Sequence, residues 1–189
     1  MANLIKGLLI FCMLSFSGFC YAALPSWKMI PELSTLTFTG IQNNAPITGS
    51  FKRFTSVINF DPQQLKKSNV HIVVQMNSIS LSFRDLITVL FSGDWLDVNK
   101  YPEAIFDAKN FTQLGPNHFQ ARGTLTIKDK KMPVNLTFAT REMEGGKVLA
   151  RGGTTIKRTA FGIGQGEWAD TDAVKDDVKV DFMIIADKQ

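Results

Sequence analysis

Two histidines and two cysteines are the residues of this chain best suited to nucleophilic, acid–base or metal chemistry. His71 lies on the polar side of an alternating segment and His118 follows a Gly-Pro-Asn turn, so both are expected at the surface. Cys12 and Cys20 lie in an apolar N-terminal segment that we expect to be removed. The sequence contains no zinc-ligand spacing, nucleophile elbow or phosphate-binding loop. We therefore predict a protein that is not an enzyme and that uses no metal and no cofactor.

Two loop segments superficially match binding motifs. The glycine-rich segment 162–166 lacks the strand–turn–helix context and the glycine spacing of a dinucleotide fingerprint. It is better explained as a loop whose backbone needs positive φ angles or close approach. The acidic segment 170–177 lacks the glycine and the terminal glutamate of an EF-hand calcium loop, and is expected to be an exposed acidic loop.

The N-terminus has the order of a secretory signal. Lys6 precedes an apolar run from Gly7 to Phe19, and the small residues Ala22 and Ala23 follow. The run is about thirteen residues long, shorter than the ~20 that span a bilayer, which disfavours a membrane anchor or a buried helix as the alternative.

We predict a signal peptide over residues 1–22, cleaved after Ala22 or Ala23, and a single domain over residues 23–189. Cleavage would remove both cysteines, so the mature chain would contain no disulfide. A lipidated N-terminus at Cys20 is disfavoured because the bulky Phe19 precedes it.

The charge pattern argues against a nucleic-acid partner. The formal net charge is +4, but acidic and basic residues are mixed along the chain. The longest basic cluster, residues 128–131, contains Asp129 and is typical of a polar turn. We therefore predict no binding to nucleic acid.

Alternation with a period of two dominates the rest of the chain. Residues 35–39 alternate threonine with Leu36 and Phe38, and the apolar residues of segment 178–184 lie mainly at even positions. Such one-sided patterns are typical of antiparallel strands, and many short strands separated by turns favour a sandwich or a barrel. The predicted strands lie near residues 27–30, 34–40, 48–60, 69–77, 104–113, 117–127, 132–142, 147–158 and 174–186.

One segment departs from this alternation. Residues 83–91 have apolar side chains at the spacing of a helical face, which predicts a short helical insertion. Ser82 is expected to cap the start of the helix, with Asp85 at its third position, and Gly93 to end it. A short turn is expected over residues 94–97.

The chain is rich in apolar aromatic residues, with 15 phenylalanines and three tryptophans against two tyrosines. Most must pack in a core. An eight-stranded barrel, however, is just wide enough either to pack solid or to hold one small ligand. Inward aromatic residues and a helix closing one end would suit an apolar ligand.

Several short motifs follow one another over roughly residues 27–187. They are Trp27, Ser34–Phe38, Ile47–Phe54, Ile58–Pro62, Asp94–Asp97, Tyr101–Phe106, Gly123–Ile127, Pro133–Val134 and Arg158–Ile163. Each is weak alone, but their order resembles the YceI-like family of bacterial periplasmic lipid-binding proteins. The resemblance implies a lipocalin-like, extended antiparallel β-barrel of about eight strands. It also implies a periplasmic carrier of an isoprenoid lipid, of the quinone or polyprenyl phosphate type, with no catalytic residues.

Two features depart from the usual family pattern. Segment 40–44 lacks the histidine that many members carry after the first long strand. Segment 164–168 resembles a sub-branch associated with cytochrome b561-like membrane proteins. This resemblance implies a membrane redox partner and an alternative function, that of a dry-cored module docking on such a protein. Assembly as a homodimer is left open.

Strand parity and the resemblance together predict the ligand-facing residues, although a single bulge would reverse the parity. Three arginines, Arg53, Arg84 and Arg158, are candidates to meet an anionic head group through charge-assisted hydrogen bonds. A structural ion pair is an equal expectation for Arg158. The predicted tunnel residues are Leu36, Phe38, Phe51, Val74, Phe106, Leu125, Phe138 and Phe161, with Leu86, Leu90 and Trp95 gating one end.

Overall fold

The computed structural model describes residues 24–189, so the predicted signal peptide lies outside the described residues. The described part contains eleven strands and one α-helix. The strands are β1 (Ser26–Met29), β2 (Thr35–Gln42), β3 (Ala45–Phe51), β4 (Phe54–Asn59), β5 (Asn69–Gln75), β6 (Ile79–Ser80), β7 (Glu103–Gly115), β8 (His118–Ile127), β9 (Lys130–Glu142), β10 (Lys147–Lys157) and β11 (Asp177–Lys188), and the helix is α1 (Arg84–Phe91).

Eight of these strands close an antiparallel barrel in the order β1–β4–β5–β7–β8–β9–β10–β11. The pairing of Trp27 with Lys188 joins β1 to β11 and completes the ring. Beyond β1, strand β11 pairs with β2, which in turn carries β3 and the short β6. The longest strands have 13 residues, which at ~3.4 Å per residue makes each of them about 44 Å long. The predicted all-β, extended antiparallel barrel with a short helical insertion is confirmed.

The predicted strand over residues 48–60 is wrong in one respect, because it is divided into β3 and β4. Phe51 and Phe54 have opposite parity, so an unbroken strand would turn one of them outward. Both line the barrel interior, which requires an interruption between them. The backbone N–H groups of Lys52 and Arg53 donate to the carbonyl and the hydroxyl of Ser78, both at 3.0 Å, and satisfy the interrupted segment.

An aromatic cluster closes the end of the barrel at the β7–β8 hairpin. Its members are Phe60, Phe111, Phe119 and Phe138, with the rings of Phe60 and Phe119 centred 5.1 Å apart at a near-perpendicular angle. Edge-to-face packing of this kind contributes beyond simple area burial. Phe119 is 1% exposed. This end of the barrel is therefore solid.

The opposite end is covered by α1 and by the segment between β10 and β11. The helix begins at Arg84 with Phe83 as its N-cap, and no side chain caps it, so the predicted Ser82 cap is wrong. The turn expected after the helix is present, since the Trp95 N–H donates to the Ser92 carbonyl at 3.1 Å. In residues 24–189 no helix combines the length and apolarity needed to cross a bilayer.

Candidate ligand-binding cavity

A cavity of about 250 Å³ occupies the barrel between the solid aromatic end and α1. Every barrel strand except β1 contributes to its wall, together with β2, β3, β6 and α1. By a measure that assigns about 10–15 Å³ to one water molecule, it far exceeds an ordinary packing void. The wall is almost wholly hydrocarbon. Its polar side chains are Gln42, Thr154, Arg158, Lys175 and the indole N–H group of tryptophan.

The structure brings most of the predicted ligand-facing residues together on this wall. Strand alternation explains the placement, because even-numbered residues of β2 and β5 and odd-numbered residues of β8 point into the barrel. Their role in ligand binding stays a prediction. The predicted residues that line the cavity are Leu36, Phe38, Phe51, Val74, Leu86, Leu90, Trp95, Phe106 and Leu125.

Two predicted residues lie elsewhere. Phe138 is packed in the aromatic cluster, with its ring centred 5.5 Å from that of Phe119, below the cavity floor. Strand parity predicted correctly that the Phe138 side chain points inward, but it did not predict how far along the barrel the residue lies. Phe161 belongs to the 3₁₀ turn Thr159–Phe161, where it is 2% exposed and packs behind the cavity wall. It is not a strand residue, so parity does not apply to it.

Arg158 lines the cavity but its guanidinium group is committed to the backbone. It is 1% exposed, and its three nitrogens donate to six carbonyl oxygens at 2.7–3.3 Å. A guanidinium group has five N–H donors, so none is left for a ligand anion. The structure therefore offers no support for a head-group role of Arg158, and a cage of carbonyl groups takes the place of the expected structural ion pair. The carbonyls belong to Ile163, Gly164, Trp168, Asp170, Val174 and Lys175.

The glycine-rich segment is part of this cage. Gly162, Gly164 and Gly166 have positive φ angles of 64°, 72° and 63°, as the loop interpretation predicted. A side chain on Gly164 would collide with the Arg158 guanidinium group. The segment is also tied to the turn after α1, because the N–H groups of Gly164 and Gln165 donate to the Asp94 carbonyl at 2.7 and 2.8 Å.

The other two predicted head-group arginines do not reach the cavity. Arg53 lies at the break between β3 and β4, where it donates to the Asn77 side chain at 2.7 Å. Arg84 is exposed at the first position of α1. Neither contributes to the cavity wall, so the structure offers no support for their head-group role.

Sequence reasoning missed two kinds of wall residue. The first is the inward face of β11, formed by Val178, Val180, Phe182 and Ile184, whose alternation was visible in the sequence. The second is the segment 168–175, which is irregular and carries no periodic signal. Trp168 packs edge-on against Trp95 there, with ring centroids 5.7 Å apart.

Trp95 occupies a special position on the wall. The Arg158 guanidinium carbon lies 5.7 Å from the centre of its ring, within the range of a cation–π contact. Its indole N–H is buried and has no hydrogen-bond partner among the described residues. A buried unpaired donor is costly, and this one is closed off from the cavity as well as from other protein groups.

The histidines lie away from this cavity. The His71 Nδ1 atom is 2.7 Å from the Asp107 carboxylate on the outer surface, and the His118 Nδ1 atom is 2.7 Å from the Pro116 carbonyl. Over residues 24–189, no three histidine, cysteine, aspartate or glutamate side chains come together as metal ligands would.

The Asp176 side chain holds Thr159, the residue that follows Arg158, in place. Its carboxylate accepts hydrogen bonds from the backbone N–H and the hydroxyl of Thr159, at 3.0 and 2.8 Å. Burial raises the pKa of Asp176, but these two hydrogen bonds and the charges of Lys157 and Arg158 outweigh burial and hold the pKa below its ordinary value.

Asp176→Asn is therefore expected to destabilise the protein near neutral pH, with a smaller effect in acid. Because the folded pKa is lower than the unfolded one, the carboxylate stabilises the fold above the unfolded pKa, and this contribution is lost as the pH falls through the folded pKa. Urea unfolding at about pH 7 and about pH 3 measures the difference between variant and wild type. The exposed Asp172→Asn serves as the control, and a difference for Asp176→Asn that does not shrink in acid contradicts the expectation.

A closed antiparallel barrel around an apolar cavity defines a class of proteins whose interior has room for an apolar guest. Within that class the chain belongs to the YceI-like family, whose domain matches residues 27–186. The Vibrio campbellii UPF0312 protein is 28% identical over 90 residues, 48% of this chain and 48% of that protein, so the match spans about half the length of this relative.

Solved structures share the fold. BcnA of Burkholderia cenocepacia superimposes with a TM-score of 0.80 at 29% identity, over 84% of this chain and 99% of that one. A polyisoprenoid-binding domain of Saccharophagus degradans superimposes with a TM-score of 0.68 at 11% identity, over 89% of this chain and all of that one. The second likeness concerns the fold alone.

Proposed function

We propose that this protein is a periplasmic carrier that encloses the apolar chain of an isoprenoid lipid in its barrel. The observation that carries the proposal is the apolar cavity of about 250 Å³. Protein interiors are close-packed and leave few voids larger than a water molecule, so an apolar cavity of this size supports a binding role.

The chemistry of the wall supports a long hydrocarbon as the guest. Each methylene transferred from water to such a wall contributes about 0.8 kcal/mol, so a polyisoprenoid needs few specific contacts. The Saccharophagus degradans domain, which shares the fold, is a polyisoprenoid-binding domain, and this likeness supports the same class of guest here. The signal-like N-terminus supports a periplasmic location, where a free isoprenoid would be insoluble.

The alternative function, a module docking on a cytochrome b561-like membrane protein, predicts a filled interior. The open cavity favours the carrier. Docking on such a protein is a separate prediction, which co-purification from detergent-solubilised membranes would test.

The carrier function predicts that protein purified from its native host contains stoichiometric isoprenoid. Mass spectrometry of an organic extract identifies the lipid, and delipidated protein is then titrated with geranylgeraniol while tryptophan fluorescence is followed, since Trp95 and Trp168 line the cavity. Saturable quenching at a ratio of one lipid to one chain is expected. An extract without lipid together with no quenching would contradict the proposal.

A further inference from the structure

One end of the cavity differs in polarity from the rest. The turn between β2 and β3 is joined to the segment before β11 by two backbone hydrogen bonds, from the Asn43 N–H to the Ala173 carbonyl at 2.8 Å and from the Lys175 N–H to the Ile41 carbonyl at 2.9 Å. These bonds set Lys175 opposite Ile41 and Val174 opposite Gln42, and all four residues contribute to the cavity wall.

Lys175 is the cavity-lining cation whose charge is not committed elsewhere in the described part of the chain. Arg158, the other cation on the wall, is saturated by carbonyl oxygens. No hydrogen bond or ion pair of residues 24–189 involves the Lys175 ammonium group, although its backbone N–H and carbonyl are both used. The wall includes no aspartate or glutamate that could neutralise it.

Lys175 is half-buried at the edge of an apolar cavity, where an anionic head group would meet a charge that no carboxylate of the wall offsets. The long stem of lysine lets its methylene groups cover apolar surface while the charge stays at the wet end. A phosphate ester suits this charge, because lysine binds phosphate as a compact point charge with three donors. A neutral quinone or alcohol would gain only an ordinary hydrogen bond.

We propose that Lys175 recognises the head group, and that the guest is a prenyl lipid with an anionic, phosphate-type head. The assignment rests on the proposed carrier function and deepens it. It replaces the three arginines expected from the sequence with a residue that the sequence did not single out.

The test compares two probes that share one chain and differ in charge, geranylgeranyl phosphate and geranylgeraniol. Wild-type protein is expected to bind the phosphate at least about tenfold more tightly, because a charge-assisted hydrogen bond contributes that much. Lys175→Gln should lose this preference and keep its affinity for the alcohol. Lys109→Gln removes an exposed lysine outside the cavity wall and should change neither affinity.

Each outcome separates the two proposals. A phosphate preference that survives in Lys175→Gln, or equal affinity of the wild type for both probes, overturns the head-group assignment and leaves the carrier function standing. Failure of both probes to bind wild-type protein overturns the carrier function and the assignment with it. Inorganic phosphate should not displace geranylgeranyl phosphate at millimolar concentration, and displacement would show a free-anion site in place of a lipid site.

Discussion

Arg158→Met is expected to lower the free energy of unfolding by about 3–5 kcal/mol, the range for removing one partner from a buried charged network. Methionine replaces the aliphatic stem of arginine but not its guanidinium group, so most of the loss comes from the polar groups left behind. Six buried or part-buried carbonyl oxygens that now accept from the guanidinium group would lose this donor. Buried acceptors without a partner are each costly.

Arg158→Met is also expected to disturb the cavity wall. The caged carbonyls lie in segment 163–175, and Ile163, Trp168 and Val174 of that segment form part of the wall. Weaker isoprenoid binding is therefore expected alongside lower stability. Chemical denaturation gives the stability change, and geranylgeraniol titration gives the change in affinity.

Two further variants keep this expectation testable if Arg158→Met does not fold. Arg158→Lys retains the charge but cannot reach carbonyls on several sides, so it should recover only part of the stability. Arg53→Met removes an exposed arginine with a single side-chain partner and should cost less than about 1 kcal/mol. Equal stability losses for Arg158→Lys and Arg53→Met would contradict the cage argument.

Parity explains how much of the site was visible in the sequence. A strand residue's face follows from its odd or even position, which is why Leu36, Phe38 and Leu125 were placed correctly on the wall. Height along the barrel is set by register and strand tilt, which alternation does not encode. Phe138 therefore faces inward as expected but lies in the solid aromatic end.

The polar residues were less predictable for a different reason. An arginine next to a predicted apolar tunnel suggests an anionic partner, but the partners of Arg158 are backbone carbonyls, which every residue possesses and no motif marks. Lys175 lies in an irregular segment whose position depends on hydrogen bonds to the distant β2–β3 turn. Such contacts become visible only once the chain is folded.

Val134→Trp is expected to weaken isoprenoid binding about 100-fold with little loss of stability. Val134 is half-buried and contributes to the cavity wall from strand β9. An indole in this position would occupy space that the guest needs. Displacing about four methylene groups at about 0.8 kcal/mol each costs about 3 kcal/mol of binding, or about 100-fold.

The stability of Val134→Trp shows whether residue 134 borders an open cavity or a tightly packed core. In a packed core, adding a large side chain costs typically 1–3 kcal/mol through strain. In a cavity, the new ring replaces a void and recovers packing contacts, so the free energy of unfolding should stay level or rise. Val57→Trp is the matched control, because Val57 lies on the outer face of β4 with 55% of its surface exposed. It should leave geranylgeraniol affinity unchanged. If both tryptophan variants bind geranylgeraniol as the wild type does, the guest does not occupy the barrel interior, and the carrier function in this form is wrong.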